Sequence, residues 1–188
     1  VRLMGVSEVV TAADAVAAAI AALRAAEEAL SALPATLTAA EVAAVADEVQ
    51  VFRCLLPSHE QRLLTAWQGQ TTAAALGAKS WRDVLSVRWR ISTGEAGRRL
   101  QDAAELAPQR ALSGEPLDPV LPYTAAAQRL GLITAEHVAI IRKTMTKMPG
   151  WADASQRARL ESDLVTAARG TGPKPVQDMA DQRLFLLD

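Results

Sequence analysis

The sequence predicts an all-α protein in which a long N-terminal helical hairpin precedes a bundle of short helices. Three observations predict this class. Apolar residues recur at helical spacing through most of the chain. Residues that cap helices precede these stretches, and Pro or Gly follows them. The composition is 50% hydrophobic, much of it alanine, but only 4% aromatic, which favours closely packed helices over a thick core.

The first element is the hairpin arm, which we predict over residues 1–68. Its first helix is expected to begin at Ser7 or Thr11 and to run to about Leu33, because Pro34 then ends it. The loop to the next helix is short, so the two helices are expected to pack antiparallel.

The second helix of the arm begins at a capping box formed by Thr38 and Glu41. Its apolar residues keep helical spacing as far as Trp67. Pro57 is expected to kink this helix or to split it, in which case Ser58 caps the continuation.

A second helical domain is predicted over residues 69–188, either separate from the arm or continuous with it. Its opening segment, Ser80–Ala107, has two capping pairs, in which a serine precedes an acidic residue by three positions: Ser80 with Asp83, and Ser92 with Glu95. Arg90 and Ile91 are left between the two helices as a bend. A helix, a tight turn and a second helix have the shape of a helix-turn-helix unit.

The rest of this domain is predicted to be helical after Pro108 and a turn at Ser113–Pro119. The join Leu132-Ile133-Thr134 repeats the pattern of Arg90-Ile91-Ser92, an apolar residue before a hydroxyl cap, and suggests a second helix-turn-helix-like pair. The expected helices run over about 120–130, 134–148, 153 or 155 to 169, and 176–187.

Charge is distributed unevenly along the chain, although the net charge is only −1. Residues 1–60 have three cations and eight carboxylates, a sum of −5, whereas residues 61–100 have seven cations and two carboxylates, a sum of +5. The basic segment either binds an external anion or is neutralised by the acidic arm. The sequence leaves both interpretations open.

The candidate nucleic-acid contacts are the cations of this basic segment. Arg98 and Arg99 also have local partners, because Glu95–Arg99 and Arg98–Asp102 are acid–base pairs four residues apart. Gly94 and Gly97 lie in the first turns of the same helix, which implies close approach either of a neighbouring helix or of a phosphate. The predicted set is Lys79, Arg82, Arg88, Arg90, Arg98 and Arg99.

Tryptophans accompany these cations. Trp81 and Trp89 share one face of the first helix with Val84 and Leu85, which is typical of a packed core; a base-stacking platform is the alternative. Arg88 lies at the edge of that face, where it can stack on an indole ring.

No catalytic, metal, cofactor or small-molecule site is predicted. The two histidines, His59 and His137, are far apart in sequence, and we expect His137 to be a buried structural residue. The lone Cys54 excludes an internal disulfide and is expected to be a buried, inert thiol. No membrane span or signal peptide is recognised, so a cytoplasmic protein is expected.

The segment RISTGEAGRRLQDAAEL, followed by a proline, a turn and AAQRLGLITAEHVAII, resembles the domain of unknown function 222, which defines the 13E12 repeat family. The resemblance covers nearly the whole chain and implies an α-helical fold. It also implies that an HNH nuclease domain usually follows this helical domain. These 188 residues lack such a domain, so the resemblance supplies no catalytic residue. The residues that match the family pattern are Ser92, Glu95, Ala96, Arg98, Arg99, Leu106, Gly131, Thr134, His137 and Val138.

Two functions are compatible with these observations. The first is a non-catalytic accessory domain of an HNH-nuclease-type protein that associates with DNA through the cations around the Ser92-capped helix. The second is an interaction module, without DNA contact, that joins two copies through the N-terminal helices.

Overall fold

The computed structural model describes residues 11–110 and 114–187, most of which lie in eight α-helices, and the all-α class is confirmed. The chain divides into two compact units, Val1–Ala46 and Asp47–Asp188. The predicted boundary after residue 68 and the antiparallel pairing of the first two helices stay predictions. No helix in the described residues combines the length and the apolar character needed to cross a bilayer.

Helix α1, Ala12–Ser31, lies in the first unit. Thr11 caps it, since its hydroxyl accepts from the Asp14 N–H at 3.2 Å while the Asp14 carboxylate accepts from the Thr11 N–H at 3.1 Å. The helix therefore begins at Thr11, and the alternative start at Ser7 lies outside the described residues. None of its residues is buried.

Helix α2, Ala39–Gln70, begins at the predicted capping box of Thr38 and Glu41 and is continuous through Pro57. The alternative of a split at Pro57 is wrong. Ser58 caps no new helix, because its hydroxyl donates to the Leu55 carbonyl at 2.8 Å. Burial of one side of this half of α2 offsets the hydrogen bond that proline removes; the buried residues are Cys54, Ser58, Gln61 and Leu64.

A smaller core forms where α2 meets the next two helices, α3 (Trp81–Trp89) and α4 (Thr93–Leu106). A short 3-10 turn, Ala74–Leu76, precedes α3. The buried residues of this core are Leu64, Leu85, Ala96 and Ala103, with Trp67, Trp89, Ile91 and Leu100 packed against them.

A minimal two-stranded ladder follows α4. Strand β1, Gln109–Arg110, pairs antiparallel with β2, Pro116–Leu117, and Gln109 is opposite Leu117. The sequence did not predict this pairing, because two residues are too few to show an alternating pattern.

The larger core lies among the last four helices, which are α5 (Pro122–Arg129), α6 (Ala135–Lys147), α7 (Ala154–Ala168) and α8 (Pro173–Phe185). Helix α8 begins three residues before the predicted Val176, because proline is well suited to the first helical position. The largest buried side chains of this core include Ile133, Ile141, Leu164 and Val176.

Candidate functional site

The candidate site is the α3–α4 unit, and both of its predicted caps are present. The Ser80 hydroxyl accepts from the Asp83 N–H at 3.2 Å, and the Ser92 hydroxyl accepts from the Glu95 N–H at 3.1 Å. In α3 the carboxylate also accepts from its own cap, since the Ser80 hydroxyl donates to Asp83 at 2.8 Å. In α4 the Glu95 carboxylate instead binds two arginines.

The turn between the helices has an unusual backbone at Arg90, with φ 56° and ψ 41°, in the left-handed region. Among the described residues, Arg90 is the one non-glycine residue with positive φ. The Ser86 hydroxyl donates to the Ile91 carbonyl at 2.7 Å and holds the turn against α3. A strained residue in a tight turn of this kind is a reason to look for function.

Arg98 is held by carboxylates of its own helix. Its guanidinium is 2.6 Å from Glu95 and 2.8 Å from Asp102. The hydrogen bond from Arg98 is the main reason that the pKa of Glu95 falls to about 2, and the same bond raises the pKa of Arg98. The charge of Arg98 is therefore largely compensated within α4.

Arg99 is compensated in a similar way. It lies 2.7 Å from Glu95 and 2.7 Å from Glu60 of α2, and its guanidinium carbon is 5.6 Å from the Trp89 ring. Burial raises the pKa of Glu60 although Arg99 opposes that shift. This contact is the point at which a carboxylate of the first sixty residues neutralises the basic segment.

The other four candidate cations are Lys79, Arg82, Arg88 and Arg90, all of them exposed. Within residues 11–110 and 114–187, none of them has a carboxylate oxygen within 4.0 Å. The guanidinium carbon of Arg88 lies 5.4 Å from the centroid of the Trp67 ring, so Arg88 stacks on an indole, but the ring belongs to α2 and not to the face of α3 beside which it was predicted. Arg82 lies against Gly97.

The tryptophans of the unit are half-buried rather than fully buried. Val84 and Leu85 are buried as the core interpretation predicts, whereas Trp81 and Trp89 keep part of their surface exposed. Trp67 and Trp81 meet edge to face with centroids 5.0 Å apart. The rings thus join α2 to α3 and also contribute to the surface beside the unpaired cations.

Sequence reasoning missed a tie between α4 and α6. The Arg142 guanidinium binds the carboxylates of Asp102 and Glu105. These partners are 40 and 37 residues away in sequence, so spacing on one helix cannot identify them. The sequence pairs Asp102 with Arg98 alone, so no local signal points to the second cation.

His137 and Cys54, which the sequence predicted to be buried and not catalytic, are both buried in the structure. His137 is 4% exposed, and its Nδ1 accepts from the Thr134 N–H at 3.2 Å, as expected for a structural histidine. Cys54 is buried. In the part of the chain that the structure describes, no three His, Cys, Asp or Glu side chains lie together as a metal site would require.

The chain is similar in sequence to proteins of mycobacteria. The chain is 39% identical over 144 residues to uncharacterized protein MT1160 of Mycobacterium tuberculosis, which covers 77% of this chain and 34% of that protein. It is 34% identical over 146 residues to uncharacterized protein Mb1179c of Mycobacterium bovis, which covers 78% of this chain and 32% of that protein. The chain thus spans about a third of the length of these relatives, and no solved structure matches it.

Residues 44–188 match the family described as Domain of unknown function (DUF222). This range contains most of α2, the α3–α4 unit and all the later helices. Since the match covers well over half of the sequence, the chain belongs to the DUF222 family.

Proposed function

We propose that this chain is a non-catalytic helical domain that binds the phosphate backbone of duplex DNA through its α3–α4 unit. The observation that supports this function is a set of four exposed cations in a unit of helix-turn-helix shape, none of which has a carboxylate partner among the residues that the structure describes: Lys79, Arg82, Arg88 and Arg90. Unpaired cations around such a turn are suited to phosphate contacts, which position a protein on DNA without reading its sequence.

The proposal gives the two ion-paired arginines a structural role. Arg98 and Arg99 would have to leave Glu95, Asp102 and Glu60 in order to reach a phosphate, and the loss of these contacts would offset the gain. The proposed DNA contacts are therefore four of the six cations that the sequence suggested.

The accessory role in an HNH-nuclease-type protein is the part of the proposal that depends on the family resemblance. The relatives are about three times as long as the matched segment, which leaves room for a second domain in them. In this proposal the DUF222 domain supplies DNA affinity, and any chemistry belongs to another domain.

The proposal predicts duplex binding that is strongly salt-dependent. If the protein makes four phosphate contacts, raising the salt from about 50 mM to about 200 mM should weaken its affinity for a duplex of about 20 base pairs roughly 100-fold. The reason is that binding releases condensed counterions, and this release is less favourable at higher salt. Fluorescence anisotropy of a labelled duplex measures this. Lys79→Gln combined with Arg88→Gln should reduce both the affinity and the salt slope.

The matched control is Arg129→Gln combined with Lys143→Gln, which removes two exposed cations, of α5 and α6, that lie outside the α3–α4 unit. Its affinity should equal that of the unchanged protein. Absence of binding at the lower salt concentration would reject the function. An equal loss of affinity in the Lys79→Gln, Arg88→Gln variant and in the control would reject the assigned surface.

A second candidate function is self-association, which the exposed apolar face of α1 favours. Val16, Ile20, Leu23 and Leu30 recur at heptad-like spacing, and each is 47–60% exposed. When a partner covers an apolar helix face of this kind, the burial of its side chains stabilises the complex. A second copy of the chain is the partner that the hypothesis names.

Light scattering coupled to gel filtration tests this candidate. At tens of micromolar the unchanged chain should have the mass of a dimer, whereas Ile20→Lys with Leu23→Lys should be monomeric because two charges enter the apolar face. Ala18→Lys with Ala25→Lys changes the opposite side of α1 by the same charge and should remain dimeric. A monomeric unchanged chain would reject self-association and leave the DNA proposal intact.

A further inference from the structure

A shallow hollow lies between α3 and α4, with a volume of about 630 Å³. Arg82 of α3 lines one side of it, and Thr93, Arg98 and Gln101 of α4 are among the residues that line the other. The hollow therefore combines two guanidinium groups with a hydroxyl and a side-chain amide, all of which can donate hydrogen bonds.

Gly97 explains how Arg82 comes to lie in this hollow. A Cβ atom at position 97 would lie 3.1 Å from Nε of Arg82 and 3.3 Å from its Cζ. Glycine destabilises a helix relative to alanine, so its presence in α4 needs a reason. That reason is the close approach of the Arg82 guanidinium to the backbone of α4, since a methyl group at position 97 would displace the guanidinium by a few tenths of an ångström.

The hollow has one uncompensated positive charge. Arg98 is paired with Glu95 and Asp102, whereas Arg82 has no carboxylate within 4.0 Å among the described residues. A phosphodiester has a single negative charge, and a guanidinium can donate two parallel hydrogen bonds to its oxygens. The charge and the donors of the hollow thus match one backbone phosphate.

We infer that this hollow binds a single phosphate group, with Arg82 as the principal ligand and Gly97 as the positioning residue that makes room for it. The inference rests on the proposed function in naming a nucleic-acid phosphate as the natural ligand. Phosphate chemistry alone defines the site, so inorganic phosphate is a usable probe.

The first experiment compares the duplex affinity of four proteins: the unchanged chain, Arg82→Gln, Gly97→Ala and Gly69→Ala. Gly69→Ala is the control, because Gly69 also lies in a helix and a Cβ there meets nothing within 4 Å. Arg82→Gln should weaken binding about tenfold, as expected for the loss of a charged hydrogen-bonding group. It should also reduce the salt slope by about one phosphate contact.

Gly97→Ala is the decisive variant. It should weaken binding, though less than Arg82→Gln does, and yet raise the Tm, because alanine stabilises the helix while its methyl group displaces only the flexible end of Arg82. Gly69→Ala should raise the Tm without changing the affinity. Equal affinities of Gly97→Ala and the unchanged chain would overturn the inference.

The second experiment separates the hollow from the DNA proposal. Inorganic phosphate is titrated into the full chain while the Nε–H signals of the arginines are followed by NMR. The signal that Arg82→Gln removes should shift on titration, and it should shift less in Gly97→Ala. A shift without duplex binding would uphold the phosphate site and reject the proposed function, whereas duplex binding without a shift would do the reverse.

Discussion

At the scale of single residues, Arg90 combines a strained backbone with an exposed charge. A non-glycine residue in the left-handed region typically costs about 1 kcal/mol relative to glycine, which commonly fills this position after a helix. Arg90 makes no ion pair within the described residues that would offset this cost. The proposed DNA contact gives the arginine a reason to be there.

We predict that Arg90→Gly raises the free energy of unfolding by about 1 kcal/mol and weakens duplex binding. Arg90→Ala removes the same charge but keeps the strain, so it should weaken binding without stabilising the fold. Urea unfolding and anisotropy measure the two effects. If both variants bind the duplex as well as the unchanged chain, Arg90 is not a contact.

At the scale of elements, the sequence predicted helix starts better than contacts between helices. Thr11, Ser80, Ser92 and Thr134 cap the helices that they precede, because capping bonds join residues three positions apart. Helix α5 differs, since its cap residue Leu121 has no side chain that can accept a hydrogen bond. No local sequence pattern could identify the group that accepts the hydrogen bonds from the first turn of α5.

That partner is Glu161 of α7, which caps α5 from a distance of 37 residues in sequence. Its carboxylate accepts from both the N–H and the hydroxyl of Thr124 at 2.8 Å, and it is 2% exposed. Burial raises the pKa of Glu161, although the bonds from Thr124 oppose the shift. The protonated form of the Glu161 carboxyl group is therefore favoured more in the folded protein than in the unfolded chain.

The pH dependence follows from this direction. Because the pKa of Glu161 is higher in the folded protein, its contribution to stability is greatest below the ordinary carboxyl pKa and is lost as pH rises through the raised value. We predict that Glu161→Gln, which keeps an acceptor and has no charge, gains stability relative to the unchanged protein between about pH 4 and pH 7.

Chemical unfolding at several pH values tests this prediction. Glu161→Ala should destabilise the fold by about 2 kcal/mol at low pH and by less as pH rises, since it leaves the Thr124 donors buried without an acceptor. Parallel pH profiles for Glu161→Gln and the unchanged protein would show that burial does not perturb this carboxyl group.

At the scale of the molecule, polar side chains join the two cores of the 47–188 unit. Gln61 of α2 donates to Gln128 of α5 at 2.9 Å, and both amides are buried. Arg142 connects α6 to Asp102 and Glu105 of α4. The α3–α4 unit is thus fixed to the larger helical bundle by directional contacts as well as by apolar packing.

These long-range contacts also limited prediction of the candidate site. The sequence identified all six cations, because basic residues are visible directly. It gave Arg99 the local partner Glu95 but could not identify the second partner, Glu60, which is 39 residues away, or the Trp67 ring beneath Arg88, which comes from another helix. Charge can be counted from a sequence, but compensation of charge depends on the packed structure.

The tie through Arg142 gives the last prediction. Arg142→Met keeps much of the side-chain volume but removes both ion pairs, and Asp102 is only 6% exposed. We expect a loss of about 2 kcal/mol in the free energy of unfolding, because Arg98 still compensates Asp102 in part. Lys143→Met is the control, since Lys143 is the exposed neighbour on the same helix and should be near neutral.

A double-mutant cycle with Asp102→Asn separates the tie from side effects of each change. If Arg142 and Asp102 stabilise the fold through each other, the second substitution costs less once the first is made, and the coupling measures their interaction. Additive losses would show that the Arg142–Asp102 pair contributes nothing to holding α4 against α6, and would leave Glu105 as the partner of Arg142. Orientation of the α3–α4 unit would then be independent of the Arg142–Asp102 pair, so Asp102→Asn would leave duplex affinity unchanged.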